Sequence, residues 1–318
     1  MDRCIKALLE EARRSGASDV LLKEDQRALF RIQGKMFGSD YVTSKHELEK
    51  FTTYLQPAGF VSEYLGGGSS MDVSFEHDGR YRANCFTAMG KRCAAIRIIK
   101  DDILPLSSLG LPTDLVERIQ KKKGLSLIVG KTGAGKSTTL AALTKGLLDA
   151  ENAHIISLED PVEYKITGDR GEITQRELGI DFGSFDQGIT EALRQSPDYL
   201  IIGEIRSLSA LKAAISASEA GHGILGTLHS VGAARTLSRM LSMFSLHEKE
   251  FVRFQLAQNL NFILSQKLNH EVNKTELDFE LLLNLPSVEN TIREGRFNQL
   301  DNLILLGERQ GMRMFKST

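Results

Sequence analysis

The spacing of hydrophobic positions changes near residue 113 and divides the chain into two parts. Before this point, residues 2–15 carry four apolar side chains spaced as one face of a helix: Ile5, Leu8, Leu9 and Ala12. The segments GASDVLL and ALFRIQG read as short strands, residues 44–56 as a second helix, and residues 71–100 as two or three further strands. The pattern predicts a small α+β domain over residues 1–100.

Residues 101–112, DDILPLSSLGLP, contain two prolines and several small residues, which is typical of a linker. From residue 113 onward, predicted helices alternate with short, continuously apolar strands such as LSLIVG and DYLIIGEI. This order predicts an α/β core over residues 113–265, with a parallel sheet covered by helices on both faces. Residues 266–318 are predicted to form a helical C-terminal region.

The octapeptide GKTGAGKS lies between one of these strands, Leu125–Val129, and a predicted helix. It fits the pattern GxxxxGK[ST], in which backbone N–H groups and a helix N-terminus surround phosphate groups. Lys136 is expected to neutralise phosphate charge, and the Ser137 hydroxyl to help hold Mg²⁺. The expected nucleotide-binding residues are Gly130, Lys131, Thr132, Gly133, Ala134, Gly135, Lys136, Ser137 and Thr138.

Carboxylates follow two other apolar strands of the predicted sheet. Glu204 closes the segment SPDYLIIGE, and LEDPVEY supplies Glu159, Asp160 and Glu163. Parallel strands deliver such side chains to the edge that carries the phosphate loop. Glu204 is therefore expected to hold the Mg²⁺ shell or orient the attacking water, and one acid of the second group to act as general base.

Two histidines, His222 and His229, bracket the next apolar strand in GHGILGTLH. The residues leave two interpretations open. Either the histidines have structural roles, or the pair contacts the γ-phosphate and reports its loss.

The amino-acid composition indicates which cellular compartment and which classes of partner to expect. The 318 residues include 40 Lys and Arg against 41 Asp and Glu, a net charge of −1, so no direct nucleic-acid binding is expected. The three cysteines, at positions 4, 85 and 93, form neither a CxxC pair nor an even set, as in a reducing compartment. No apolar run approaches the roughly 18 to 20 residues of a membrane span. A cytoplasmic protein is predicted, with any membrane work done through a partner.

Five segments in order resemble the secretion ATPases that power type IV pili and type II secretion: GKTGAGKSTT, SLEDPVEY, TQRELG, ALRQSPDYLIIGEIR and GHGILGTLHS. Among these segments are counterparts, in this order, of that family's Walker A loop, Asp box, Walker B and His box. ASDVLL with RIQG resembles the opening of the family's N-terminal PAS-like domain. The tail TIREGRFNQLDNLILLGERQGM resembles the PilT-like pilus retraction branch, including the core Ile292–Glu294.

The resemblance implies a RecA-like ATPase core and a homohexamer that binds ATP and Mg²⁺. The implied partners are an inner-membrane platform protein and other pilus motors. Glu163 is then the water-activating carboxylate, Glu204 the Walker B glutamate, and His222 and His229 the His box. Four arginines resemble charge-supplying positions: Arg82 and Arg97 as fingers, and Arg194 and Arg206 beside Walker B. For any one of the four taken alone, a surface salt bridge is the simpler interpretation.

Three functions follow as alternatives. The first is a motor for pilus retraction. The second is a related motor for pilus extension, type II secretion, or DNA uptake or transfer. Extension and type II secretion ATPases usually carry a four-cysteine zinc segment and a long extra N-terminal domain. Neither feature is found in this sequence. The third is a nucleotide-sensing regulatory subunit. The intact Lys136, Glu163 and Glu204 argue against it, but Ser207 keeps it open, because it stands where the family commonly has an acid after the Walker B arginine.

Overall fold

The computed structural model describes residues 3–55, 70–99, 103–271 and 274–316. The first two residues of the predicted linker, 101 and 102, lie outside this range. The chain divides into two units. One comprises Met1–Asp102 with Pro161–Lys165, and the other comprises Ile103–Asp160 with Ile166–Thr318.

The first unit is built on an antiparallel sheet. Among the described residues this sheet has six strands in the order β3-β2-β1-β6-β5-β4. Its elements are α1 (Arg3–Arg14), β1 (Asp19–Lys23), β2 (Gln26–Ile32), β3 (Lys35–Thr43), α2 (Lys45–Leu55), β4 (Met71–Glu76), β5 (Arg80–Ala88) and β6 (Lys91–Ile98). The predicted apolar face of α1 is confirmed, since its four residues are buried in the core of this unit.

The second unit is built on a mainly parallel sheet of seven described strands in the order β13-β12-β7-β11-β10-β8-β9. Its strands are β7 (Leu125–Val129), β8 (His154–Glu159), β9 (Glu172–Glu177), β10 (Tyr199–Ile202), β11 (Gly223–Leu228), β12 (Leu260–Glu271) and β13 (Lys274–Leu283). Every residue of β7, β10 and β11 is buried. The strand pairing and the burial of these strands confirm the predicted parallel-sheet core. Continuous apolar strands of this kind require cover on both faces of the sheet.

Helices join and cover these strands. They are α3 (Leu115–Lys121), α4 (Lys136–Ala150), α5 (Phe185–Leu193), α6 (Leu208–Glu219), α7 (Ala233–Ser242), α8 (Leu246–Asn259), α9 (Pro286–Glu294) and α10 (Leu300–Leu306), with short 3₁₀ turns at Phe297–Gln299 and Glu308–Gln310. Within the described part of the chain, no helix is both long enough and apolar enough to cross a membrane.

The structure differs from the sequence prediction at the start of the C-terminal region. Residues 266–283 belong to β12 and β13, and helices return only from Pro286. β12 pairs in parallel with β7 and antiparallel with β13, extending the sheet beyond the phosphate-loop strand. Short apolar runs such as NFILS fit either a helix or a strand, and here pairing with the core sheet decides the outcome.

The C-terminal tail covers the outer edge of β13. Leu281 and Arg313 exchange two backbone hydrogen bonds, of 2.7 and 3.1 Å. Asp278 has a side chain only 1 % exposed and pairs with Lys267 at 3.3 Å and Arg313 at 3.2 Å. The tail therefore satisfies part of an otherwise open strand edge and fixes β13 from outside.

Candidate functional site

The predicted phosphate loop lies between the buried strand β7 and helix α4. Gly135 is the residue that precedes α4, and its φ of 81° lies in the left-handed region that glycine tolerates best. The loop therefore turns its backbone toward the positive N-terminal end of α4. Lys136 Nζ donates hydrogen bonds of 3.0 Å to the carbonyl oxygens of both Gly130 and Lys131. Its ammonium group thus lies against the loop that would surround the phosphates.

β12 supports the phosphate loop from the side. Gln266, which is 1 % exposed, donates from Nε2 to the carbonyl oxygen of Ala134 at 2.6 Å. A Cβ atom on Gly130 would lie 2.6 Å from the carbonyl oxygen of Gln266 and 2.9 Å from Ala134 Cβ. The sequence reasoning missed Gln266, whose only signal is a polar residue inside an apolar stretch. The loop conformation thus depends on a strand far away in sequence.

Gly130→Ala is expected to displace the loop, because the added methyl group meets backbone atoms that cannot rotate away. Overpacking of this kind costs about 2 kcal/mol of unfolding free energy, which corresponds to a melting temperature lower by about 5 °C. Thermal unfolding and nucleotide titration measure both consequences. The matched control is Gly38→Ala, where an added Cβ meets nothing within 4 Å. Equal behaviour of the two variants would contradict close packing at Gly130.

A second cluster forms where neighbouring strands of the same sheet end. His229 follows β11 and Glu204 follows β10, and His229 Nε2 lies 2.9 Å from Glu204 Oε1. Arg206 Nε donates to the other oxygen, Oε2, at 2.6 Å. Arg206 also reaches Asp160, the residue after β8, at 3.2 Å. Since β11 lies directly beside β7, these groups occupy the same edge of the sheet as the phosphate loop.

Glu159 is held by two polar neighbours in the same unit. Ser157 Oγ donates to its Oε1 at 2.7 Å, and Gln175 Nε2 donates to the same oxygen at 3.0 Å. Gln175 in turn accepts a hydrogen bond of 2.9 Å from the backbone N–H of Ile166. The sequence reasoning identified Glu159 but not Gln175, which lies on the adjacent parallel strand β9.

The structure places Glu163 in the first unit, since Pro161–Lys165 belongs there. Its Oε1 lies 3.5 Å from Arg82 Nη1, while Arg82 also makes two hydrogen bonds of 3.0 Å to Asp72. The same short segment is held by Arg80, whose Nε donates to the carbonyl oxygen of Val162 at 2.8 Å. The role of Glu163 as general base stays a prediction.

Arg82 and Arg97 are cross-strand partners on β5 and β6, so they lie side by side on the sheet of the first unit. Neighbouring like charges repel across a sheet unless acids intervene. Arg97 pairs with Asp19 at 3.1 Å, and Arg31 reaches the same aspartate at 3.6 Å. Both predicted fingers therefore make salt bridges in this structure, and their contact with nucleotide stays a prediction.

Two of the predicted site residues lie away from Glu204. His222 precedes β11, and its Nδ1 lies 2.8 Å from the carbonyl oxygen of Pro197. His229 follows the same six-residue strand, and such a strand spans about 20 Å. Arg194 is exposed at the C-terminal end of α5, before β10 begins. Within the chain, His222 and Arg194 thus lie at the edge where the strands start, opposite the phosphate loop.

At the edge where the strands start, polar contacts hold the beginning of β10, the strand that precedes Glu204. Tyr199 begins β10, and its hydroxyl donates to Glu151 Oε1 at 2.5 Å. Burial, reinforced by this hydrogen bond, raises the pKa of the Tyr199 phenol well above its ordinary value. A hydrogen bond from Lys123 lowers the pKa of Asp198, which also accepts from the backbone N–H of His154. The tyrosine therefore stays protonated and the aspartate stays charged over the neutral pH range.

Residues 1–279 match the family model described as Type II/IV secretion system protein. The chain belongs to this family. It is 39 % identical over 304 residues to the uncharacterized protein YggR of Escherichia coli, covering 95 % of this chain and 92 % of YggR. It is 32 % identical over 316 residues to the type IV pilus retractation ATPase PilT of Pseudomonas aeruginosa, covering 97 % and 90 %.

The fold is also that of a solved member of the secretion family. The crystal structure of the pilus retraction motor PilT with bound ADP superimposes with a TM-score of 0.86 at 32 % identity. The match covers 98 % of this chain and 94 % of that one. Both units therefore have counterparts in that protein.

Ser207, a departure from the sequence pattern expected for the secretion family, has a clear local role. Its side chain accepts a hydrogen bond of 3.1 Å from the backbone N–H of Ala210, so it is the N-cap of α6. Aspartate and serine are about equally good N-cap residues. The serine therefore performs a capping role that an acid at this position could also perform.

Proposed function

We propose that this chain is an ATP-hydrolysing motor that drives type IV pilus retraction. The observation that carries the proposal is the common edge of one parallel sheet, where the Lys136 loop and the Glu204–His229 pair lie on neighbouring strands. A relative at 32 % identity across nearly the whole of both chains is named for pilus retraction. No cysteine follows Cys93, so the four-cysteine zinc segment usual in extension and type II secretion motors is absent from this sequence.

The residues of the phosphate loop fit a nucleoside triphosphate. The left-handed Gly135 before α4 brings the N-terminal end of the helix to the loop, and the ammonium group of Lys136 adds positive charge there. Ser137 is exposed in the first turn of the same helix, where its hydroxyl can ligate a cation. The loop therefore supplies charge, backbone donors and an oxygen ligand together.

Mg²⁺ would be held by Ser137, by Glu204 and by the nucleotide itself, and it would neutralise charge on the β- and γ-phosphates. Oxygen ligands of this kind are those that Mg²⁺ prefers, usually together with substrate phosphates. Over the described residues, no group of three or more His, Cys, Asp and Glu side chains forms a separate metal centre. The proposed ion would bind together with ATP.

We propose different roles for Glu204 and Glu163 toward the attacking water: Glu204 orients it, and Glu163 accepts its proton. Glu204 is only 15 % exposed and is fixed by His229 and Arg206, so it can hold a water in one orientation. Glu163 is the proposed general base. Of the proposed charge-supplying arginines, Arg206 lies beside Glu204 and would neutralise the equatorial oxygens of the transferring phosphoryl group. Arg194 lies at the opposite edge of the sheet, and the same role for Arg82 and Arg97 stays a prediction.

Motion follows from the difference between bound ATP and its products. We propose that the γ-phosphate contacts present with ATP and lost after hydrolysis supply the change that drives the motor. Six copies in a ring would pass this motion to an inner-membrane platform protein. The chain would act in the cytoplasm and meet the membrane through that partner and other pilus motors.

Deletion of the gene in its source organism tests the direction of the motor. We expect excess surface pili that do not retract, with rescue by the wild-type gene but not by a gene carrying Glu204→Gln. Electron microscopy counts the pili, and fluorescent labelling follows their retraction. Cells without pili would instead indicate an extension motor, and unchanged pili that retract normally would contradict the proposal.

A further inference from the structure

The segment that carries His229 is held at both of its ends. At its start, His229 pairs with Glu204 at 2.9 Å. At its end, the backbone N–H of Gly232 donates to Ser265 Oγ at 2.8 Å, and the backbone N–H of Ala233 donates to Glu280 Oε1 at 2.6 Å. Only Ser230 and Val231 lie between the two attachments, so the attachment at Gly232 and Ala233 restricts where His229 can lie.

Ser265 and Glu280 form one structural feature. They are directly opposite each other on β12 and β13, and they are 0 % and 4 % exposed. Burying a carboxylate is costly unless it is compensated. Burial raises the pKa of Glu280, and the negative charge of Asp301 adds to this, while the hydrogen bond from Ala233 acts in the opposite direction. The compensating group is therefore the N-terminus of α7, whose unpaired N–H groups favour a negative charge.

Helix α7 also reaches back to His229 itself. Arg239, in the last turn of α7, donates from Nη1 to the carbonyl oxygen of His229. The Thr236 hydroxyl donates to the carbonyl oxygen of Gly232 at 2.7 Å. Helix α7 therefore restrains His229 in two ways: through residues 230–232, which join His229 to the helix, and through the hydrogen bond from Arg239.

Strand β12 also holds the phosphate loop. Ser265 and Gln266 are consecutive in β12, so their side chains leave the strand on opposite faces. Ser265 reaches the segment after β11, and Gln266 reaches Ala134 in the phosphate loop at 2.6 Å. β12 and β13 therefore fix, relative to each other, the two loops that form the candidate site.

We propose that Glu280, with Ser265, is a positioning residue for ATP hydrolysis: it holds the start of α7 so that His229 meets Glu204. The proposal rests on the proposed function, because it assigns Glu280 a part in the same reaction. Glu280 acts through His229 and makes no contact with the nucleotide.

Four variants of the full-length protein test this role. Glu280→Leu removes the acceptor for the Ala233 N–H, and Glu280→Gln keeps an oxygen at that place. Ser265→Ala removes the second acceptor with little change in volume. The control is Asn284→Ala, which removes hydrogen bonds of 2.8 and 2.9 Å to the carbonyl oxygens of Ala257 and Leu260 from the residue just after β13, without touching α7.

Two readouts are needed: amide hydrogen exchange of residues 229–236 by mass spectrometry, and steady-state kcat and KM for ATP. For Glu280→Leu we expect faster exchange in this segment and a kcat about tenfold lower, with KM within about twofold. Ser265→Ala is expected to change both readouts in the same direction but less. Glu280→Gln should restore kcat to within about threefold of wild type. Asn284→Ala should leave both readouts at wild-type values.

A second cycle places Glu280→Leu in a His229→Ala background, where no further loss of kcat is expected because the two changes act through one group. A full additional tenfold loss there, or an equal effect of Asn284→Ala, would overturn the proposal. Unchanged exchange of residues 229–236 in Glu280→Leu overturns it as well, without reference to activity. If wild-type protein does not turn over ATP, the proposed function fails, and the exchange result still decides whether Glu280 holds the segment.

Discussion

Lys136→Ala is expected to abolish measurable ATP binding, weakening affinity by about a hundredfold or more. A hydrogen bond between charged groups contributes about 1.5–3 kcal/mol, and we expect the ammonium group to form such bonds with the β- and γ-phosphates. In the structure it donates to the carbonyl oxygens of Gly130 and Lys131 at 3.0 Å, so its Nζ is already directed toward the loop. Titration with a fluorescent ATP analogue measures the loss.

The matched control for this variant is Lys145→Ala, on the same helix α4. Lys145 is a lysine of similar exposure whose Nζ lies 3.0 Å from Asp149, more than two turns from the phosphate loop. We expect wild-type affinity for the control and near-wild-type melting temperatures for both proteins. An affinity of Lys136→Ala within threefold of wild type would show that the loop does not hold phosphate in the manner described.

Glu204→Gln is expected to leave ATP binding within a few-fold of wild type and to lower kcat by about a hundredfold to a thousandfold. Glutamine preserves the shape of the side chain but removes the charge that pairs with His229 and Arg206. Glutamine can still form hydrogen bonds with both neighbours, and Arg206 is 58 % exposed, so water screens the charge pairing that is lost. A fall in kcat would therefore report on the reaction rather than on folding.

Glu172→Gln is the control for the loss of one carboxylate, since Glu172 is exposed at the start of β9 and away from the strand ends that carry the site. Wild-type turnover is expected for this protein. Turnover of Glu204→Gln equal to that of the control would remove Glu204 from the mechanism.

The parts of the site that the sequence could predict are those built from local segments. A buried strand, a glycine-rich loop and a helix follow one another at Leu125–Ala150, so the presence of the loop can be predicted from 26 consecutive residues. Glu204 and His229 could be predicted because each follows a continuous apolar strand. Parallel pairing then brings their ends to one edge, whatever the intervening chain contains.

The parts that the sequence could not predict depend on register between distant strands. Gln266 contacts Ala134, and Ser265 lies beside Glu280, only because β12 pairs with β7 and β13 in a particular alignment. No local spacing indicates that alignment, and the region was predicted as helix. The different surroundings of His222 and His229 could not be predicted for a related reason, since both ends of a strand look alike in sequence although they face opposite edges of the sheet.

Release of inorganic phosphate from ATP by the purified full-length protein, with Mg²⁺ present, tests the central claim most directly. The expected result is continuous release over many turnovers by wild-type protein and by Glu172→Gln, with release by Lys136→Ala and Glu204→Gln near the level without enzyme. Wild-type release no faster than that of Lys136→Ala would contradict the claim that this edge of the sheet hydrolyses ATP.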